Sequence, residues 1–178
     1  DNVAVGDKAM FENTTGTKNT AVGREALMHN VSAHENTVVG YHAMRTSTSG
    51  AYNTAVGKNT LKANTTATHN TALGYHALEA NTTGIKSVAV GAHALGSNTT
   101  AERNAAVGYS CLYSSTTGQH NSAIGNDAGY DMTTGDNNVC LGYGSGRASS
   151  PSGSITTQSN AVVLGNNSIT ALYCADTS

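Results

Sequence analysis

Nine glycines, Gly6, Gly23, Gly40, Gly57, Gly74, Gly91, Gly108, Gly125 and Gly142, recur at one constant interval, each the seventeenth residue after the last, with no insertion. A strict period of this length marks a chain built from stacked units, not one packed around a single centre. Four residues before each Gly stands Asn2, Asn19, Asn36, Asn53, Asn70, Ser87, Asn104, Asn121 or Asn138, with Ser87 the one departure. Immediately before each Gly an aliphatic column runs from Val5 and Val22 to Ile124 and Leu141. Four residues after it a second apolar column runs Met10, Leu27, Met44, Leu61, Leu78, Leu95, Leu112 and then changes to Gly129 and Gly146, which predicts a core that thins toward the C-terminal end.

So short a unit cannot hold the two packed helices of the common helical repeats. The segments "NTAVG" at 19–23 and 53–57 and "NTALG" at 70–74 alternate like a short strand, and "NTTG" at 13–16 and 81–84 carries turn chemistry. Each unit is therefore expected to be one coil of an all-β, parallel β-solenoid. Strands stacked at about 4.8 Å would make nine to ten coils a column about 45 Å long. Composition suits so thin a structure: Trp is absent, Phe occurs once and charged residues make up 11% of the chain. Residues one coil apart then lie on top of each other, and Asn19, Asn36, Asn53, Asn70, Asn104 and Asn121 are expected to form a stacked amide ladder.

Alternation gives each strand two faces. In N-T-A-V-G the Thr and Val share one face and the Ala the other. Large residues are expected inside, which turns Thr and Val toward the coil's own interior. The small column of Ala21, Ala55, Ala72, Ala89, Ala106 and Ala123 is then expected outside, where other copies of the chain approach closely in a homotrimer.

Several function classes find no footing. A formal net charge of −2 with no Lys/Arg run gives no electrostatic footprint for nucleic acid or an anionic membrane, and no stretch is long and apolar enough for a membrane-spanning helix. The motifs of hydrolases, metalloproteases and nucleotide-binding enzymes are missing, and the carboxylates Asp127, Asp131 and Asp136 sit near turns without a convergent partner. No catalytic residue, metal ligand or cofactor is assigned. Cys111, Cys140 and Cys174 form no C-x-x-C pair and are expected to be buried free thiols.

Two outward columns offer contact chemistry. Tyr41, Tyr75, Tyr109 and Tyr143 recur on alternate coils one residue after the Gly, and His42, His76 and His93 fall one residue further on. Exposed rings of this kind stack on sugars, and they also pack across subunit grooves. A solvated polar edge is the simpler reading of the histidines. Sequons begin at Asn13, Asn30, Asn64, Asn81 and Asn98 because turns favour Asn and Thr. Thr20, Thr37, Thr54 and Thr71 form a column of the kind ice-binding solenoids use, but its expected inward orientation sets that function aside.

The N-x-x-[VIL]-G-x-x-[AC]-[LM] unit, clearest in "DNVAVG" at 1–6, resembles the head repeats of trimeric autotransporter adhesins, although the coil here is longer. With its "NTAVG" and "NTTG" segments it is still more similar to repeats of viral and phage tail fibres and spikes that precede an endosialidase-type intramolecular chaperone. The resemblance covers about residues 1–146, and "NAVVLGNNSITALYCADTS" at 160–178 resembles the lead into that chaperone. It implies a left-handed coil, a homotrimer, and a chain taken from a longer protein. Between Gly142 and Gly165 the spacing is six positions longer than the period, with the only Pro in the surplus. This predicts a repeat solenoid over 1–146, a loop or neck over 147–158, and a last coil and C-terminal segment over 159–178. The expected function is a structural and receptor-engaging part of an extracellular virion fibre or spike, with a host glycan or protein as partner. The alternatives are the head of a bacterial surface adhesin and a non-catalytic part of a glycan-degrading spike.

Overall fold

A computed structural model describes residues 1–148, 153–166 and 168–169. Among them the chain forms ten three-residue strands and no helix: β1 (Val3–Val5), β2 (Thr20–Val22), β3 (Thr37–Val39), β4 (Thr54–Val56), β5 (Thr71–Leu73), β6 (Val88–Val90), β7 (Ala105–Val107), β8 (Ser122–Ile124), β9 (Val139–Leu141) and β10 (Val162–Leu164). They make one parallel sheet in sequence order. Each strand from β1 to β9 pairs with its equivalent one period away, as Ala55 does with Ala72. The step from β9 to β10 is longer, with Cys140 opposite Val163, so the surplus adds length to a coil without breaking the stack. Ile155 and Thr156 already lie on the preceding coil, Thr156 accepting the Thr133 N–H at 2.7 Å, which places the insertion between 147 and 154.

The strand faces are the reverse of the sequence expectation. Ala21, Ala55, Ala72, Ala89 and Ala106 are fully buried inside their own coil, and Ala123 nearly so, while the Thr and Val on either side of them face outward. Leu27, Met44, Leu61, Leu78, Leu95 and Leu112 enter the interior from another wall and are fully buried. With one large side chain per coil already there, a narrow cross-section leaves only an alanine's width on the sheet side. The alanines are core residues within one chain.

The asparagine ladder does more than stack amides. Asn36 donates from its backbone N–H and from Nδ2 to Asn19 Oδ1, both at 3.0 Å, and from Nδ2 to the Gly50 carbonyl at 2.9 Å. Each amide so joins two coils through its oxygen and spans its own coil through its nitrogen. Only Asn offers both at this length, which satisfies buried polar groups that would otherwise cost stability. At Ser87 the Nδ2 donation is lost: the backbone N–H still donates to Asn70 Oδ1 at 2.9 Å, while the hydroxyl accepts the Asn104 N–H at 3.3 Å and donates to the Ile85 carbonyl at 3.5 Å.

A second buried ladder runs through the turns. Asn30, Asn64 and Asn98 accept from the N–H three residues ahead, Ala33, Ala67 and Ala101, at 2.8 to 3.0 Å, and with Asn81 all four are 0 to 1% exposed. These are sequon asparagines, so four of the five sequons in the repeat turns have their nitrogen inside the folded coil, where no glycan can be attached.

Tight coils need backbone that most residues avoid. In the fifth coil His69, His76 and Leu78 hold φ of 61°, 58° and 50°, a pattern repeated along the stack. The left-handed region costs a non-Gly residue about 1–2 kcal/mol, which the ladders and the buried column must offset. Gly74 is required for a different reason: at φ +136°, a Cβ there would meet the Gly91 carbonyl oxygen at 2.6 Å.

The core does not thin at its C-terminal end; it changes column. Where Leu112 gives way to Gly129, the turn column of Asn and Ser, Ser115 in the coil before, gives way to Met132, which is fully buried. One coil later Gly146 is matched by Ile155, 3% exposed and 2.8 Å from where a Cβ on that glycine would stand. The volume is conserved while its source moves along the coil into the turn.

Candidate functional site

Two outward surfaces carry the chemistry. The first is the outer face of the sheet, formed by the first and last residue of every strand. Over ten coils these twenty positions include Thr20, Thr37, Thr54 and Thr71 and otherwise Val, Leu, Ile, Ala or Ser, with no charged residue. Many stand well exposed, among them Leu73 at 47% and Ile124 at 56%. An exposed, uncharged and largely apolar stripe running the length of the sheet is the kind of surface that marks an interaction site. The Thr column being outward also removes the ground on which ice binding is set aside.

The second surface is the edge that follows each glycine. Tyr41, Tyr75, Tyr109 and Tyr143 are all exposed, from 39% to 62%. The histidines lie beside them, partly covered. His42 stacks on Tyr41 at 3.7 Å between centroids, and its Nε2 is 3.1 Å from Glu25 Oε2. His76 tilts against Tyr75 at 3.8 Å and lies between Glu79, hydrogen-bonded at Nδ1, and Asn59, 3.1 Å from Nε2. His93 meets Tyr75 edge-on at 5.3 Å and Tyr109 at 6.1 Å.

Glu25 is the most enclosed charge on this edge. Arg45 Nε donates to it at 2.7 Å and holds its carboxyl below the usual carboxylate range, with His42 and Arg24 adding to the effect. Burial pushes the His42 imidazole down, and Glu25 opposes that only in part. This cluster ties coils two and three together and leaves no free acid or base.

Four participants escape a reading of the sequence alone. Lys58 places its ammonium 5.7 Å from the centroids of both Tyr41 and Tyr75. Tyr113 and Tyr130 stack at 5.3 Å, and Arg147 lies over Tyr130 at 4.7 Å. The repeat itself is the signal that could find the last three: Tyr113, Tyr130 and Arg147 are one column, five residues after the glycines.

The carboxylates are committed to structure. Asp127 pairs with Arg147 at 2.7 Å, Asp131 accepts from the Ala148 N–H at 3.2 Å, and Asp136 accepts from the Gln119 N–H at 2.6 Å. Among the described residues no group of three or more His, Cys, Asp or Glu is placed to hold a metal ion. Cys111 and Cys140 are buried free thiols, and burial pushes them up to about 12 and about 11, so both stay protonated at neutral pH. Cys174 lies outside the described residues.

No family model, no curated protein and no solved structure matches this chain.

Proposed function

We propose that the chain is a structural and receptor-engaging segment of a trimeric extracellular fibre or spike of the viral or phage type, and that copies assemble through the Thr/Val face of the sheet. The uncharged outer stripe supports this reading. Its twenty side chains per copy are the number a standard protein interface uses on each side, and three flat faces of this kind close around one axis. The contact belongs to the Thr/Val column in place of the alanines, which have no outward surface left to offer. The exposed tyrosine edge supplies the receptor-facing chemistry. The head of a bacterial trimeric adhesin, or the non-catalytic part of a glycan-degrading spike, would use the same column in the same way.

Sedimentation equilibrium tests the assembly. The expected mass is three times that of one 18.1 kDa chain, falling to the single-chain value in Val56→Glu, which sets like charges against each other at the axis. A stable monomer in the unaltered chain would overturn the trimer. The outward Thr20, Thr37, Thr54 and Thr71 favour ice binding as a second reading. A monomer that slows ice recrystallisation would support it.

A further inference from the structure

The two outward columns of the sheet differ in what they can specify. The third residue of every strand is Val, Leu or Ile, from Val5 in β1 to Leu164 in β10. The first residue is Thr in β2, β3, β4 and β5, with Val3 on the coil before this block and Val88 on the coil after it. Further along the column one hydroxyl returns, at Ser122. The interface column thus carries its threonines as one block toward the N-terminal end of the stack.

The hydroxyls of the block are unused within the chain. Thr65, Thr82 and Thr99 in the turns each donate from Oγ1 to a carbonyl of the next coil, at 3.0 to 3.2 Å. Among the described residues the hydroxyls of Thr20, Thr37, Thr54 and Thr71 have no hydrogen-bond partner. Once copies cover this face, each of these hydroxyls loses water and needs a partner from another copy. A hydroxyl both donates and accepts, so three of them at one height can close a ring in which every member is satisfied.

The uniformly apolar column cannot set the height at which copies meet. Sliding one copy by a coil, about 4.8 Å, again lays Val, Leu or Ile against Val, Leu or Ile. In the Thr column the same slide sets Thr20 against Val3 and Thr71 against Val88. Turning one copy end for end is worse. With the ten strands aligned, Thr20, Thr54 and Thr71 then face Val139, Ala105 and Val88, and only Thr37 meets a hydroxyl, at Ser122.

We propose that the block of Thr20, Thr37, Thr54 and Thr71 fixes the register and the parallel orientation of assembly, accepting as partner only a copy of this chain at the same height and pointing the same way. Selection of register is the best-attested use of polar groups inside an apolar interface. The inference rests on the trimer and the Thr/Val contact proposed above, and it adds which of the possible overlays of two such faces forms.

The test is disulfide mapping of co-refolded chains in a Cys174→Ser background, with Cys111 and Cys140 buried and silent. Chains carrying Val39→Cys are mixed with mass-tagged chains carrying Leu73→Cys. These positions lie two coils apart in the apolar column, so in register they stand about 9.6 Å apart along the stack, beyond the reach of roughly 7 Å between Cα atoms that a disulfide allows. A second mixture pairs Val39→Cys with Ile124→Cys, which face each other only in the antiparallel overlay. The expected result for the unaltered block is same-position disulfides with neither mixed product. Replacing all four threonines by Val should leave the trimer in sedimentation and raise the 39–73 product about tenfold or more, since no unpaired hydroxyl then opposes the slip. Replacing all four by Ser keeps the hydroxyls and should keep the mixed products absent, which separates hydrogen bonding from side-chain shape. Mixed products as abundant as same-position ones with the block intact would overturn the proposal. So would a four-Val variant that stays in register or no longer associates. A monomer from the unaltered chain in sedimentation would overturn the trimer itself, an outcome distinct from a trimer whose register ignores the threonines.

Discussion

The first seven coils and the two after them fill the same cross-section in different ways. In the first seven, Met or Leu four residues after the glycine fills the interior from a backbone in the left-handed region, and does so at a conformational cost. In the next two, Gly129 and Gly146 take that backbone more easily, and Met132 and Ile155 deliver the apolar volume from the turn. What the stack specifies is therefore a volume at a given height, not a residue in a given column. The exchange also replaces the buried Asn or Ser of the turn by an apolar side chain, so the two solutions differ in polar content as well as in strain.

The largest effect should come from forcing the first solution onto the second region. Gly129→Leu adds bulk where a Cβ would already meet Leu112 Cδ2 at 2.6 Å, and should cost about 3 kcal/mol or more. Gly129→Leu with Met132→Asn restores the pairing of the earlier coils and should recover most of that loss in a denaturant titration. A double variant no more stable than the single one would break the idea of conserved volume.

Next comes the contrast between the two strand faces. Ala72→Leu should cost about 1–3 kcal/mol by overpacking the coil, while Thr71→Leu, on the outer face, should leave the fold of a single chain within about 0.5 kcal/mol. Equal effects would mean the faces are not distinct. A smaller change is expected on the first ladder. Ser87→Asn supplies the Nδ2 donor to the carbonyl fourteen residues ahead that Asn70, Asn104 and Asn121 have and should raise stability by about 1 kcal/mol. Denaturant midpoints that do not rise would show that the missing donor costs the fold nothing.

The smallest effect is a pH dependence confined to coils two and three. His42 and Glu25 both titrate below their ordinary values in the fold, so the unfolded chain binds the extra protons. The His42 contribution is present above pH 6.5 and lost as pH falls through its lower folded value; that of Glu25 is lost further down, below 4.5. The denaturation midpoint should therefore drop as pH falls from neutral through the histidine range, and His42→Asn should flatten that slope. An unchanged slope would remove His42 from the explanation.

The parallel solenoid, its period and the asparagine column were legible because each depends on identity at a fixed spacing. Which face of the strand is inner was not. Alternation divides Thr71 and Leu73 from Ala72 but assigns neither set to the interior. The habit of placing large residues inside fails where Leu78 has already filled the coil. The buried role of Asn30, Asn64 and Asn98 was hidden for a similar reason, since a turn asparagine inside the coil and one in water have the same neighbours in sequence. On the tyrosine edge the rings were found by type and spacing. The place of Lys58 between two of them was not, since a lysine one residue after a glycine carries no sign of the rings that flank it.

The central claim, that copies meet through the Thr/Val face, is tested most directly by oxidative cross-linking of single added cysteines. In a Cys174→Ser background, Thr54→Cys should link chains rapidly, since its equivalents converge on the axis, while Lys62→Cys on the outer edge should not; Cys111 and Cys140 are buried and stay silent. Cross-links from position 62 with none from position 54 would contradict it.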